Sequence, residues 1–234
     1  MLVRGFPAQA FDTNCYVVAP GQGEQCVVVD PGIGVEQQLD DLLREHGLQP
    51  VAVLLTHGHL DHTFSVTPVC GAKGIPAWIH PADRDQLEDP VAYLSAGSSQ
   101  LFGGRLEWTP PSDVRLLDPA EPLEIAGLRI TVDLAPGHTP GSVVFRLPGD
   151  EQDGEAAAPL LLSGDVLFAG SVGRCDLPGG SWAAMQVSLA SVILPMADDT
   201  VVLPGHGPST TIGRERASNP YLQDLAPPPA SRGL

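Results

Sequence analysis

Thr56-His57-Gly58-His59-Leu60-Asp61-His62 sets the terms for the whole chain. Three of the seven histidines and one aspartate fall within six positions. They follow Val51-Ala52-Val53-Leu54-Leu55, an apolar, β-branched run that predicts a buried strand. The imidazoles and the carboxylate therefore gather where a strand ends and the backbone turns. Nitrogen and carboxylate donors at this density suit a borderline divalent metal such as zinc.

Three further apolar runs end in the same way. Ala135-Pro136-Gly137-His138 follows a strand expected to close at Leu134, Ser163-Gly164-Asp165 follows Leu160–Leu162, and Pro204-Gly205-His206 follows Val201–Leu203. Ligands of α/β proteins collect at strand ends, and glycine there lets the backbone approach a bound group closely. Four such ends imply one convergent pocket with donors for two metals. One ion would take His57, His59 and His138, and the other Asp61, His62 and His206, with Asp165 bridging them. Two ions roughly 3.5–4 Å apart can hold a hydroxide between them, because the pKa of bound water falls to about 7. His46 and His80 read instead as solvated or locally hydrogen-bonded residues. Asp30, in Asp30-Pro31-Gly32, reads as a turn residue or as a hydrogen-bond acceptor behind the ligands. Cys175 reads as a small, partly buried side chain.

Length and charge limit the alternatives. A chain of 234 residues fits one domain with a sizeable core. A net charge of −16 repels phosphate backbones, so nucleic acid is not an expected partner. No apolar stretch approaches the roughly 18 residues of a spanning helix, and no export signal is recognisable near Met1. Cys15, Cys26, Cys70 and Cys175 form no CxxC pair. Free thiols, no membrane association and a cytoplasmic location are the expectations.

The pattern along the chain is α/β. Tyr16–Ala19 and Cys26–Val29 flank Pro20-Gly21-Gln22-Gly23 and predict a hairpin. Val35, Leu39, Leu42 and Leu43 recur at helical spacing, with Gly47 as the C-terminal cap. A short helix is expected over Phe64–Ala72 and a strand over Pro76–Ile79. Residues 84–120, punctuated by glycine and proline, read as a long excursion over the surface. Leu123–Ala126 and Leu128–Leu134 predict a hairpin around Gly127, and Ser142–Leu147, Leu160–Ser163 and Thr200–Leu203 predict further strands. Pro148–Ala158 reads as a solvated turn. Ser181 is the expected N-cap of a helix from Trp182 to about Leu194, and a last helix is expected over Ile212–Ala217. The domain is expected to span 1–218, followed by a tail over 219–234.

The set His57-x-His59-x-Asp61-His62, His138, Asp165 and His206 resembles that of the metallo-β-lactamase-fold hydrolases. The resemblance implies a four-layer αββα sandwich, with two mixed β-sheets, outer helices and two divalent metal ions at one rim, zinc first and iron or manganese as substitutes. Within that superfamily the chain is most similar to compact bacterial glyoxalase II-like proteins, which hydrolyse hydroxyacylglutathione thioesters. That likeness implies Asp165 as the bridging aspartate and Arg174, in Gly173-Arg174-Cys175-Asp176, as the basic residue that meets a substrate carboxylate. The chain departs from the longer members, which add a C-terminal helical domain and place a tyrosine where Asp176 stands. The expected activity is hydrolysis of an S-2-hydroxyacyl thioester by a metal-bound hydroxide that Asp61 orients. The expected partner is the small-molecule thioester, with no obligate protein partner. A mononuclear iron persulfide dioxygenase and a lactonase or β-lactam hydrolase are the alternatives of the same fold.

Overall fold

Two six-stranded sheets lie face to face, and helices cover both outer surfaces. The structure is a computed structural model that describes residues 1–94, 108–149, 151–152, 155–223 and 225. The first sheet has the order β1 (Leu2–Pro7), β2 (Asn14–Ala19), β3 (Gln25–Val29), β4 (Gln49–Leu54), β5 (Ala77–Ile79) and β6 (Val114–Leu116). Its first three strands are antiparallel, and β3 to β6 run parallel. The second half supplies β7 (Leu123–Ile125), β8 (Leu128–Leu134), β9 (Val143–Leu147), a two-residue hairpin β10 (Glu151–Gln152) and β11 (Glu155–Ala156), β12 (Leu160–Gly164), β13 (Val201–Pro204) and β14 (Thr210–Thr211). The second sheet is ordered β14-β13-β12-β9-β8-β7.

The near-continuous apolar strands follow from burial on both faces. Along β2, Tyr16 and Val18 point between the sheets, where they meet Ile130, Val132, Phe145 and Leu162. Cys15 and Val17 point the other way, onto Leu39 and Leu43 of the helix Glu36–His46 and onto Val66 and Val69 of the helix Val66–Lys73. On the far side, Val144, Leu161 and Val202 pack against Met185, Leu189, Ile193 and Ile212. These layers make the four-layer αββα sandwich that the resemblance implied.

The local signals placed most elements. Gly47 ends its helix in the left-handed conformation, at φ 66°. The hairpins around residues 20–23 and Gly127 form as expected. Strand β4 begins at Gln49, ahead of the apolar run, and takes up Pro50 at a register shift opposite Cys26. Ser181 caps the helix Trp182–Ser188 by accepting the Ala184 N–H at 3.3 Å, and a π-helical turn, Leu189–Ile193, continues it. Ser181→Ala should lower stability by about 1 kcal/mol, read as a shift of the urea midpoint with an unchanged slope.

Two segments differ from expectation. The stretch 84–120 is not only a surface excursion, since it contains the helix Arg84–Glu88 and the strand β6. A three-residue strand behind Pro110-Pro111 has no periodicity of its own, and pairing with β5 creates it. Residues 95–107 of that stretch lie outside the described residues. Residues 219–223, assigned to the tail, include a short helix, Pro220–Gln223, whose Leu222 is buried against the outer cluster of the second sheet. Most of the tail beyond them, Pro227-Pro228-Pro229 included, lies outside the described residues.

The topology collects the ligand-type residues. Strands β8 and β12 both run antiparallel to β9, and β13 runs parallel to β12. The ends at Leu134, Gly164 and Pro204 therefore emerge on one edge of the second sheet. The Val143 N–H donates to the Thr56 carbonyl at 2.8 Å, which brings the end of β4 to the same edge.

Candidate metal centre

His57, His59, Asp61, His62, His138, Asp165 and His206 converge at this edge. Their donor atoms form three overlapping groups: His57, His59 and His138; His57, His62 and Asp165; and Asp61, His62 and His206. His59 Nδ1 lies 2.8 Å from His138 Nε2, and His62 Nε2 lies 3.3 Å from His206 Nε2. Asp165 spans the groups: Oδ1 is 3.3 Å from His62 Nε2, and Oδ2 is 3.4 Å from His138 Nε2 and 3.6 Å from His206 Nε2. Asp61 Oδ2 is 3.2 Å from His206 Nε2 and 3.6 Å from His62 Nε2. Two donors held about 2.0–2.1 Å from one tetrahedral ion stand roughly 3.3 Å apart. The spacings are those of atoms that share a cation.

Apart from His59 Nε2, which is buried without a hydrogen-bond partner, the remaining nitrogens are tied down. His62 Nδ1 donates to Asp30 at 2.9 Å, His138 Nδ1 to the Arg174 carbonyl at 2.7 Å, and His206 Nδ1 to the Phe11 carbonyl at 3.0 Å. His57 Nδ1 meets Thr56 Oγ1 at 3.0 Å, and Thr56 in turn donates to Asp30 at 2.6 Å. Asp30 is thus the acceptor behind two imidazoles and not itself a member of the cluster. A proton held on Nδ1 turns the Nε2 lone pair of each of these rings into the pocket. Two of the atoms aimed at the cluster have no partner: His57 Nε2 and Asp165 Oδ1 are buried and accept no hydrogen bond. Buried polar atoms are rarely left so.

Charge in the cluster points the same way. Burial and then the neighbouring imidazoles hold His57 well below its ordinary pKa, and burial and then His138 bring His59 down to about 3. Burial also opposes charge on His62, but Asp165, Asp61 and Asp30 outweigh it and raise its pKa well above the usual value. Asp61 and Asp165 stay ionised although buried, because His62 and then other imidazoles of the cluster offset desolvation. Ionised carboxylates beside His57 and His59, which stay neutral and keep a lone pair, form a site for divalent cations, and a cation there would take the place of the proton on His62.

Two packing features make the approach possible. A side chain at Gly205 would collide with Asp165 Oδ1 and His62 Cε1, and one at Gly173 with the Asp165 carbonyl. Only glycine fits at either position.

A structural residue escaped the sequence reading. Asp83 is fully buried and accepts three hydrogen bonds: from the Gly58 N–H at 3.0 Å, the Thr139 hydroxyl at 2.6 Å and the Gly141 N–H at 2.7 Å. It staples the turn bearing His57 and His59 to the loop bearing His138. Asp83 lies just before the stretch read as a surface excursion, and its partners are 25 and more residues away. Only the buried end of the short helix that follows β5 reveals it. Thr13, also unforeseen, donates to Asp61 Oδ2 at 3.1 Å. His46 and His80 lie away from the cluster, and His80 accepts locally from the Ala82 N–H.

The cluster floors a cavity of about 410 Å³. Arg174 lines it, but its guanidinium is engaged by Asp176 through Nε and Nη2, both at 2.7 Å. Cys175 is half-buried and is not among the residues lining the cavity.

An αββα sandwich with a histidine–aspartate cluster on one rim defines a metallo-hydrolase architecture. The chain belongs to the Metallo-beta-lactamase superfamily, whose family model matches residues 8–206. It is 32% identical to the hydroxyacylglutathione hydrolase GloC of Haemophilus influenzae, over 95% of this chain and 98% of the relative. The solved structure of the BLEG-1 B3 metallo-beta-lactamase is similar with a TM-score of 0.80 and 38% identity, covering 94% of this chain and 99% of that one. TTHA1623, solved in a di-iron-bound form, is similar with a TM-score of 0.72 and 37% identity, covering 94% of this chain and all of that one. Among the described residues no helix is long and apolar enough to cross a membrane.

Proposed function

We propose that the protein is a glyoxalase II-like thioester hydrolase that cleaves an S-2-hydroxyacyl thiol. The observation that carries this reading is the convergence of seven donor residues, five of which line a cavity large enough for a small thioester. The identity with GloC over nearly the whole of both chains supports it. His57, His59 and His138 would hold one divalent ion and Asp61, His62 and His206 the other, with Asp165 between them. When bound, such a pair lowers the pKa of a water to about 7 and polarises a carbonyl.

The chain's own residues do the rest. Asp61, partly open to the cavity and fixed by Thr13, accepts a hydrogen bond from the attacking water and orients it toward the acyl carbon. The C–O bond to water forms, and the C–S bond breaks. The leaving thiolate has a parent pKa near 8.5 and needs little help from a general acid. That agrees with a cavity whose histidines and aspartates all belong to the donor set. The Asp30–Thr56 pair and the Phe11 and Arg174 carbonyls keep the imidazoles oriented throughout. Zinc is the first choice of ion, and the di-iron form of TTHA1623 supports iron as the substitute.

Protein loaded with two ions should hydrolyse S-lactoylglutathione, lose activity on chelation and recover it when zinc, iron or manganese is restored. A doubly loaded protein inert toward every thioester tried would end this reading. Identity with BLEG-1 favours β-lactam hydrolysis as the second reading, and a chromogenic cephalosporin in the same assay separates the two.

A further inference from the structure

The mouth of the cavity is built for something other than an anion. Phe11, Ile33, Leu60, Phe168 and Leu177 line the cavity, and Arg174 is the one lysine or arginine among the described lining residues. Phe11 is 51% exposed and sits at φ 63°, in a left-handed conformation that bulky residues seldom adopt. The strained turn does two things at once. It aims the Phe11 carbonyl at His206 Nδ1, and it leaves the ring on the rim with about half its surface in water. Strain of this kind collects at ligand clamps. An unpacked aromatic ring beside other apolar side chains is covered by a ligand at little cost in polar desolvation.

Arg174 does not offset this. Its Nε and Nη2 already hold Asp176 in a bidentate pair, which offsets the guanidinium charge. An incoming carboxylate meets a guanidinium whose charge is already offset, with the Asp176 carboxylate beside it. The chain's net charge of −16 adds a long-range repulsion against anionic ligands.

We infer that the site selects thioesters whose thiol portion is uncharged and apolar at the cavity mouth, with Phe11 as the contact residue and Asp176 acting against anionic carriers through Arg174. The inference rests on the thioester-hydrolase reading and names the carrier class within it. Glutathione, with two carboxylates, falls on the disfavoured side, so that S-lactoylglutathione is a substrate but a poor one.

Binding rather than turnover tests this. Two non-hydrolysable thioethers carrying the same hexyl group, S-hexylglutathione and uncharged S-hexyl-N-acetylcysteamine, are titrated calorimetrically into the metal-loaded protein. The uncharged thioether should bind about tenfold more tightly. Asp176→Asn should narrow the gap by strengthening S-hexylglutathione about two- to fivefold, the range for freeing one partner of an exposed ion pair. Phe11→Ser, with its fold checked by thermal melting, should weaken the uncharged thioether about tenfold, as expected for loss of an aromatic contact. Tighter binding of S-hexylglutathione, lost in Arg174→Gln, would overturn the inference, as would absent binding of the uncharged thioether. Turnover of lactoyl thioesters, measured separately, decides whether the protein is a thioester hydrolase at all, so the two failures are distinguishable.

Discussion

Asp165→Ala will purify with less than two equivalents of metal and with thioester turnover reduced by more than about 100-fold. The expectation follows from position. The two carboxylate oxygens lie 3.3–3.6 Å from imidazole nitrogens of His62, His138 and His206, so this one residue touches both groups of donors. Losing a partner outside a metal's ligand set already costs about 10–100-fold in affinity or activity, and Asp165 stands inside it. The alanine variant also removes a negative charge that offsets the imidazoles. Asp165→Asn keeps the shape and one oxygen but not the charge, and should fall between wild type and alanine in metal content. The measurement is elemental analysis beside S-lactoylglutathione hydrolysis, with circular dichroism as the check on folding. Full metal content in the alanine variant would remove Asp165 from the centre.

Asp83→Ala should destabilise the protein by about 3–5 kcal/mol, because three buried donors lose their shared acceptor. Three donors, the Gly58 and Gly141 N–H groups and the Thr139 hydroxyl, lose their acceptor in a place that water does not reach. Each donor stranded in this way costs about 1–3 kcal/mol. Burial pushes the Asp83 carboxyl above the usual carboxylate range, and the bonds from Thr139, Gly58 and Gly141 oppose the rise. Asp83→Asn should be milder in urea denaturation, because one oxygen still accepts while its amide faces a donor. Both variants loosen the loops that carry His57, His59 and His138, so metal content should fall with stability. A urea midpoint equal to that of wild type in Asp83→Ala would refute the staple.

The cluster was legible in the sequence where geometry is local. His57, His59, Asp61 and His62 share one turn, and a strand end beside glycine marks His138, Asp165 and His206. The α/β class was legible in the apolar strands, such as Cys26–Val29 and Leu160–Leu162, and the αββα layering came from the resemblance of the ligand set to a known family. What stayed hidden depends on distant partners. Asp83 looks like a helix-start residue until Gly58 and Thr139 arrive from elsewhere in the chain. Strand β6 is too short to carry a period. The left-handed backbone at Phe11 leaves no mark in composition, since aromatic residues seldom sit there. Arg174 was legible as a cation near the cavity, but its pairing with Asp176 is a matter of side-chain direction that spacing does not fix.

The Phe11 carbonyl that orients His206 comes from a residue 195 positions earlier, and Asn14 reaches the Pro204 and Gly207 carbonyls at 3.0 and 2.9 Å. A chain emerging from the ribosome carries the opening residues long before the last imidazole exists. Contacts of such separation form late and slowly. A nascent or truncated chain therefore presents only part of the donor set, and capture of the second ion waits until synthesis has passed residue 206.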